Sequence, residues 1–413
     1  MTVQTSNDYD VQRVRADFPI LETTMRGKPL AYLDSGATSL KPQCVIDAEV
    51  EYLSSVSANI HRGVYELSER ATTMYDDARE SIRRFIGGVD GDVVFTKSST
   101  EASNIAAFSL GGSILTEGDE IVVTEIEHHA NLIPWQEIAR RKGAGLRFVP
   151  LVPGGGITVD AVRSVVNDRT KIVAVTGMSN VTGHMPPIAD ICHLAREAGA
   201  VSVVDGAQLV SHYPVDAESI GCDLMTFSGH KMCGPTGVGV LYGRKSILDG
   251  MEPLLYGGDM IVRVEKESAT FKASPERFEA GTPNISGVLG FAAAVKYLES
   301  IGMATIAEHE ERLAKYAIER LSELQYVTTY LPPEGSRAGG IVSFNVADVH
   351  PHDVGSILDG EGIAVRAGFH CAQPFMRHLG VGGTVRCSFY LYSTFEEVDR
   401  MVVGLDKVMR TFG

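Results

Sequence analysis

The chain has 413 residues, which at about 150 residues per domain predicts two or three units and excludes a single small module. Hydrophobic residues make up 44% of the chain and charged residues 22%, proportions that suit a large folded core and exclude a disordered chain. The 37 Lys and Arg residues are outnumbered by 52 Asp and Glu residues, and the net charge of −15 disfavours nucleic acid and anionic lipid as partners.

The cysteines and the N-terminal segment indicate the cellular compartment in which the protein is expected. The six cysteines include no Cys-x-x-Cys pair, so neither a disulfide scaffold nor a zinc site is expected. Residues 1–18 contain no apolar core of signal-peptide length, and the sequence has no apolar run of about 18 residues. We therefore expect a cytoplasmic protein with no membrane partner and no bound metal.

The first predicted elements lie between residues 93 and 245, where short runs rich in Val and Ile alternate with segments of helical spacing. The predicted strands are 93–96, 121–124, 146–151, 172–175, 201–204, 224–227 and 237–242. The predicted helices are 99–115, 132–142, 160–166 and 189–198. This order predicts an α/β fold with a large, doubly wound, mostly parallel sheet and ligand sites where its strands end.

The remainder of the chain predicts a smaller α+β domain. Residues 256–284 are polar and broken by Gly and Pro, which indicates a long excursion near the site, and a helix is predicted over 285–301. A β-α-β-β-α pattern follows, with elements at 341–346, 352–360, Val365, 385–391 and 395–409. We expect residues 31–295 to form the large domain, and residues 1–30 with 296–413 to form the small one.

Two polar residues follow predicted strands of the large sheet. Lys231 lies in a glycine-rich turn directly after the strand 224–227, and Asp205 follows the apolar strand 201–204. A lysine alone on such a turn would indicate a solvated surface charge. With an acid delivered to the same edge of the sheet, the pair instead indicates a site in which the carboxylate can keep a pyridine nitrogen protonated.

Asp205-Gly-Ala-Gln208 followed by Ser228-Gly-His-Lys231 resembles the fold-type I pyridoxal-phosphate enzymes of the class V aminotransferase group, with cysteine desulfurases as the nearest branch. The resemblance covers almost the whole chain, through residues 32–42, 59–63 and 366–374. It implies pyridoxal 5′-phosphate as the cofactor and a homodimer as the working form. The motifs occur together and in order, which makes the signal far more specific than each motif alone.

The resemblance assigns the cofactor site residue by residue. Lys231 is implied to hold the cofactor aldehyde covalently and to move the Cα proton, Asp205 to hold the ring nitrogen, and Gln208 to bond the phenolic oxygen. His128 is implied to stack on the ring and to act as acid or base, with its neighbour His129 as the alternative. The residues implied to hold the phosphate are Ser99, Thr100, Ser228, His230 and, from the neighbouring subunit, Thr282.

The resemblance also assigns the substrate site. Cys371 is implied to be the nucleophile that attacks the substrate sulfur, with His370 and Arg366 as local contributors to its activation. Arg386 is implied to clamp the amino-acid carboxylate with its bidentate fork, assisted by Asn180 and Arg366. The other cysteines are expected to be inert.

The short segment around Cys371 resembles the group II, Suf-type desulfurases. The implied reaction converts L-cysteine to L-alanine and leaves a persulfide on Cys371, which a Suf-type acceptor protein removes for iron–sulfur cluster assembly. His350 or His352 is expected to lie near the docking surface of that acceptor. The alternatives are a selenocysteine lyase, an aminotransferase and a catalytically idle scaffold. Phe369 and Tyr65 stand where the family usually has histidine, so a choice between sulfur and selenium is left open.

Overall fold

The computed structural model describes residues 9–412. Its strands in chain order are β1 (Thr24–Met25), β2 (Lys28–Pro29), β3 (Ala31–Tyr32), β4 (Gly91–Thr96), β5 (Glu120–Thr124), β6 (Gly145–Val149), β7 (Thr170–Thr176), β8 (Val201–Asp205), β9 (Leu224–Ser228), β10 (Gly239–Arg244), β11 (Ile261–Val264), β12 (Ala269–Phe271), β13 (Val327–Tyr330), β14 (Ile341–Val346), β15 (Ile363–Ala364), β16 (Arg366–Gly368) and β17 (Thr384–Ser388). Its α-helices are α1 (Val11–Arg15), α2 (Gln43–Ser55), α3 (Glu66–Phe85), α4 (Ser99–Ile105), α5 (Gly111–Ile114), α6 (His129–Lys142), α7 (Val159–Arg163), α8 (Ile188–Glu197), α9 (Leu209–His212), α10 (Ala217–Ile220), α11 (Lys245–Leu248), α12 (Ile285–Ile301), α13 (Met303–Ser322), α14 (Pro351–Gly360), α15 (Gln373–His378) and α16 (Phe395–Phe412).

A seven-stranded sheet with the order β4-β10-β9-β8-β7-β5-β6 forms the centre of the larger unit. Its strands from β9 to β6 are parallel, and β10 runs antiparallel between β4 and β9. Strands buried on both faces read as continuous apolar runs, which is why the sequence predicts them well. The carboxyl ends of β7, β8 and β9 meet at one edge of the sheet and carry Thr176, Asp205 and Ser228.

The smaller unit is built on an antiparallel sheet with the order β13-β14-β17-β16. Helices α13, α14 and α16 contribute Leu313, Val354 and Val398 to the buried cluster that this sheet shares. Strand β3 pairs in parallel with β15, and it places Ala31 in the same cluster. The division at residues 31 and 295 stays a prediction.

The predicted α/β fold is confirmed, with differences at some element ends. Helix α12 and strand β14 have the predicted bounds, whereas β17 ends at Ser388, three residues before its predicted end, and β6 ends two residues early. Beyond Ser388 the chain turns toward α16, and the Ser393 amide closes that turn on the Tyr390 carbonyl at 2.9 Å. Helices α3 and α13 were not predicted.

Within the described residues, no single helix has both the length and the apolarity needed to cross a membrane. Helices α12 and α13 reach the required length and hydropathy only as a pair, and they meet at an angle of 76°. Most of α12 is buried in the core cluster of the larger unit.

Candidate active site

Lys231 ends a three-residue turn that follows β9, and Asp205 is the last residue of β8. Burial lowers the pKa of Lys231 to about 8, while Asp205 raises it and Arg386 lowers it further. Burial also raises the pKa of Asp205, whose Oδ1 accepts a hydrogen bond from the Ala207 amide at 3.0 Å. The amine of Lys231 is thus available in its neutral, nucleophilic form close to neutral pH.

The turn that carries Lys231 is held by residues from the N-terminal part of the chain. The His230 carbonyl accepts hydrogen bonds from the Ser39 amide at 2.9 Å, the Ser39 hydroxyl at 3.0 Å and the Lys41 Nζ at 3.2 Å. The Ser39 hydroxyl in turn accepts a bond from the Cys233 amide at 2.7 Å. Ser39 therefore contacts the chain on both sides of Lys231. The segment 32–42 contributes to the family resemblance, but no role was predicted for Ser39.

Six of the predicted residues line one cavity at this edge of the sheet: Ser99, His128, Asn180, Asp205, Gln208 and Lys231. The Gln208 amide group donates to the Gly36 carbonyl at 2.8 Å, and its Oε1 is buried without a partner among the described residues. Gly36 is itself packed against β17, where a Cβ would lie 3.1 Å from the Ser388 hydroxyl. A hydroxyl brought into the cavity could satisfy the Gln208 oxygen.

The two adjacent histidines face different parts of the site. His128 caps α6, and its Nδ1 accepts a hydrogen bond from the Ala130 amide at 3.0 Å. Burial, followed by the charge of Lys231, lowers the pKa of His128 to about 3, so the ring is neutral in the cavity. The preceding Glu127 is anchored by the Thr176 amide at 2.9 Å. His129 lies beside the segment that contains Cys371.

The predicted phosphate residues lie at the start of α4. The Ser99 amide donates to the Ser228 hydroxyl at 2.7 Å, and Ser98 caps the helix by accepting from the Glu101 amide at 3.3 Å. Thr100 is exposed beside His128, and the pKa of His230 is lowered by burial to about 4. Thr282 is also exposed, but it lines a separate groove with Lys97 and Glu101, so one chain does not bring it to Lys231.

Arg386 lies in β17 and is only 3% exposed, which excludes a surface salt bridge. Its Nη1 donates to the Asn180 carbonyl at 2.9 Å, its Nη2 lies 3.4 Å from Asp34, and its Nε has no partner in the described part of the chain. Arg366 is half-exposed and pairs with the same Asp34 at 2.7 Å. The two arginines therefore form a cationic group on one carboxylate, with one buried donor free for an anion.

Residues 369–372, called here the Cys371 loop, join β16 to α15. Cys371 is exposed, and the carbonyl of the preceding His370 accepts a bond from the Asn180 side chain at 2.6 Å. Asn180 also lines the cavity of Lys231, so it links the lysine and the loop. On its outer side the loop lines a groove of about 710 Å³ together with His350 and His352.

The family model described as aminotransferase class-V matches residues 31–401. The chain belongs to this family. A probable cysteine desulfurase of Halalkalibacterium halodurans is 48% identical over 408 residues, which cover 98% of this chain and 99% of that protein. The structure of the cysteine desulfurase CsdA of Escherichia coli has a TM-score of 0.90 and 37% identity, covering 98% of this chain and 100% of that one. The cysteine desulfurase of Thermococcus onnurineus NA1 has a TM-score of 0.92 and 39% identity over the full length of both chains.

The enzymes of this family depend on pyridoxal 5′-phosphate, and the residues of this chain fit that cofactor. Lys231 offers a buried amine of lowered pKa, and Asp205 offers a buried carboxylate beside it. The unpartnered oxygen of Gln208 suits the phenolic hydroxyl, and the start of α4 offers amide donors to the phosphate. The predicted cofactor and enzyme class are confirmed, whereas the role of each residue stays a prediction.

Proposed function

We propose that this enzyme is a cysteine desulfurase in which Cys371 takes the sulfur of L-cysteine and L-alanine is released. The observation that carries the proposal is an exposed thiol on a short loop that Asn180 ties to the cavity of Lys231. The reaction balances without an outside oxidant, because the substrate carbon–sulfur bond breaks as a sulfur–sulfur bond to Cys371 forms, and alanine takes up the protons.

The predicted desulfurase activity is confirmed by relatives and solved structures that carry this name over nearly the whole chain. Simple transamination needs no thiol, so an exposed Cys371 at the site favours desulfuration. The direct test is an assay with L-cysteine that measures alanine and persulfide separately in the wild-type protein and in Cys371→Ala.

The residues of the active site have different proposed roles, which follow from their positions and charges. When bound, pyridoxal 5′-phosphate supplies an electron sink for the bond-breaking at the substrate. Arg386 binds the substrate carboxylate through its free Nε, and Asp205 stabilises positive charge at the ring nitrogen. Lys231 accepts the Cα proton through its neutral amine, and the neutral His128 can accept a further proton.

A sulfur-acceptor protein is proposed to dock over the groove beside the Cys371 loop, and we assign this acceptor to the Suf type that delivers sulfur for iron–sulfur clusters. Cys371 opens into that groove, and a four-residue loop cannot carry its sulfur far from the protein surface. His350 and His352 line the same groove as the loop, and the His350 ring caps α14 by accepting from the His352 amide at 3.3 Å. His352 is therefore the residue to change without removing the cap.

We expect His352→Ala to lower the ratio of acceptor-stimulated to unstimulated turnover by about fivefold, the effect of losing one polar contact at an interface. His193→Ala is the matched control, because His193 is an exposed histidine on α8 that pairs with Glu197 at 3.3 Å. The ratio is measured from alanine release across a titration of acceptor. An unchanged ratio in His352→Ala would remove this histidine from the docking surface.

A homodimer is proposed as the working form, because the site lacks Thr282 within one chain. Exposed apolar residues lie near that position: Leu255, which lines the same groove as Thr282, is 45% exposed and its neighbour Tyr256 is 63% exposed, an unfavourable arrangement for a monomer. Arg62 and Asp259, 2.8 Å apart, join the 59–65 segment to this surface. A second copy would cover the apolar surface and bring its own Thr282 toward the first site.

We expect sedimentation equilibrium to give twice the mass of the 413-residue chain for the wild type and for Val403→Glu. Tyr256→Glu places a charge in the proposed interface and is expected to raise the dissociation constant of the dimer by about a hundredfold. Val403 is the matched control because it is an apolar residue of α16, in the small unit, and is 66% exposed. A monomeric wild type, or an undisturbed dimer in Tyr256→Glu, would contradict this interface.

The cytoplasm is proposed as the compartment. All six cysteines lie within residues 9–412 and carry free thiols, as expected in a reducing environment. A persulfide on the exposed Cys371 also needs a compartment in which thiols stay reduced until the acceptor arrives.

A further inference from the structure

The Cys371 loop is bracketed by one residue of another element, His129. The His129 amide donates to the Cys371 carbonyl at 2.7 Å, and the His129 ring Nε2 accepts from the Gln373 amide at 3.2 Å. His129 and Gln373 are the first residues of α6 and α15, where an amide has no acceptor in its own helix. Each helix start thus satisfies its free amide by holding the other segment, and Cys371 lies between the two bonds.

The His129 ring makes a third contact with the same loop. The Phe369 ring lies against it, with centroids 6.0 Å apart and planes inclined by 35°. The opposite side of the loop is held by Asn180, which bonds the His370 carbonyl, and by Thr384, whose hydroxyl lies 2.8 Å from the His370 Nε2. The loop is therefore held by α6 through His129 and, at His370, by Asn180 and Thr384.

The backbone of the loop needs such support. His370 and Cys371 have φ values of +50° and +53°, a left-handed conformation that is costly for residues with a Cβ. Strained residues of this kind persist where neighbouring contacts over-determine them. The segment that carries His129 is itself held in place, because Glu127, two residues earlier, is bonded to the Asn131 side chain at 2.7 Å and to the Thr176 amide.

We propose that His129 is a positioning residue that fixes the place of the Cys371 thiol relative to the cavity of Lys231. The proposal rests on Cys371 being the residue that takes the sulfur. His128 lines the lysine cavity, and His129 holds the Cys371 loop. These two adjacent residues therefore link the lysine cavity to the segment that carries the thiol. A nucleophile displaced by about 1 Å loses much of its rate, so the contact acts on catalysis without touching the substrate.

Two substitutions separate the role of the His129 ring from the stability of the fold. Gln places an acceptor at the distance of Nε2, whereas Asn ends at the distance of Nδ1 and cannot reach the Gln373 amide. We expect iodoacetamide to label Cys371 about fivefold faster in His129→Asn than in the wild type, the change expected for one lost hydrogen bond. Labelling of Cys44, the other exposed cysteine, is the internal reference in each protein.

The second measurement is the rate of turnover with L-cysteine. We expect kcat to fall about tenfold in His129→Asn with KM unchanged, because the loop does not bind the substrate carboxylate. In His129→Gln we expect both the labelling rate of Cys371 and kcat to return to the wild-type values. Equal labelling ratios and equal kcat values in the Asn and Gln variants would overturn the proposal. If Cys371→Ala kept full turnover, the proposed function would fail, yet the labelling ratio would still report whether His129 holds the loop.

Discussion

Replacing Lys231 with Arg is expected to lower alanine release below about one thousandth of the wild-type rate. The guanidinium keeps the positive charge beside Asp205 but stays protonated at any working pH. Lys231 suits the proposed role because burial lowers its pKa to about 8, which leaves part of its amine neutral and able to form a covalent bond and accept a proton. Turnover and the visible absorption of the bound cofactor are measured on the same samples.

Lys315→Arg is the matched control, since Lys315 is exposed on α13 and should tolerate the change. The expected pattern is loss of covalent cofactor attachment and of activity in Lys231→Arg alone. Retained turnover in Lys231→Arg would mean that another group accepts the Cα proton, and the assignment of this lysine would be wrong.

Replacing Cys371 with Ala or Ser is expected to abolish persulfide formation and to lower alanine release by about a thousandfold, while the cofactor absorption stays unchanged. Both replacements keep a Cβ, so the strain at a φ of +53° is the same as in the wild type, and the loop contacts through the backbone remain. The loss of persulfide formation and of alanine release can then be attributed to the thiol itself. The released alanine and the bound sulfur are quantified separately.

Cys44→Ala is the control, because Cys44 is the other exposed thiol and lies on α2. It should retain wild-type turnover. Full alanine release from Cys371→Ala would leave a class V enzyme that breaks the carbon–sulfur bond without this nucleophile, and the transfer of sulfur through the Cys371 loop would have to be abandoned.

The positions of Asp205, Lys231 and Ser99 are readable from the sequence because local rules place them, whereas their roles at the cofactor are implied by the family resemblance. Apolar strands buried on both faces deliver Asp205 and Lys231 to one edge of a parallel sheet, and the glycine-rich turn marks the end of β9. Ser99 was predicted at a helix start for the same reason. These residues follow from the alternation of strands and helices, which persists whatever packs around it.

Contacts between distant parts of the chain could not be predicted in this way. Ser39 holds the turn of Lys231 from more than 190 residues away, and His129 reaches the Cys371 loop across a separation of 244 residues to Gln373. Nothing in the spacing of these residues encodes such contacts. The Ser39 contact depends on how the N-terminal segment folds back onto the turn after β9, and the His129 contact depends on how the smaller unit packs against the carboxyl edge of the large sheet.

Helix α13 shows the other kind of omission. Its buried residues Ile306, Leu313, Ala317 and Leu321 recur at intervals that suit one helix face, so the pattern was present in the sequence although no element was predicted there. Strand β10 shows the reverse, because it was predicted as a strand but its antiparallel direction depends on the turn after Lys231. The direction of a strand within a sheet is set by the connection that leads into it and not by the residues of the strand itself.

The most direct test of the account is to locate the sulfur after a single turnover. The wild-type holoenzyme is mixed with less than one equivalent of L-cysteine, digested under non-reducing conditions and analysed by mass spectrometry, with the Cys44 peptide as the internal comparison. We expect one additional sulfur atom on the Cys371 peptide, in an amount equal to the alanine released. Alanine without sulfur on Cys371, or sulfur on another cysteine, would contradict the account.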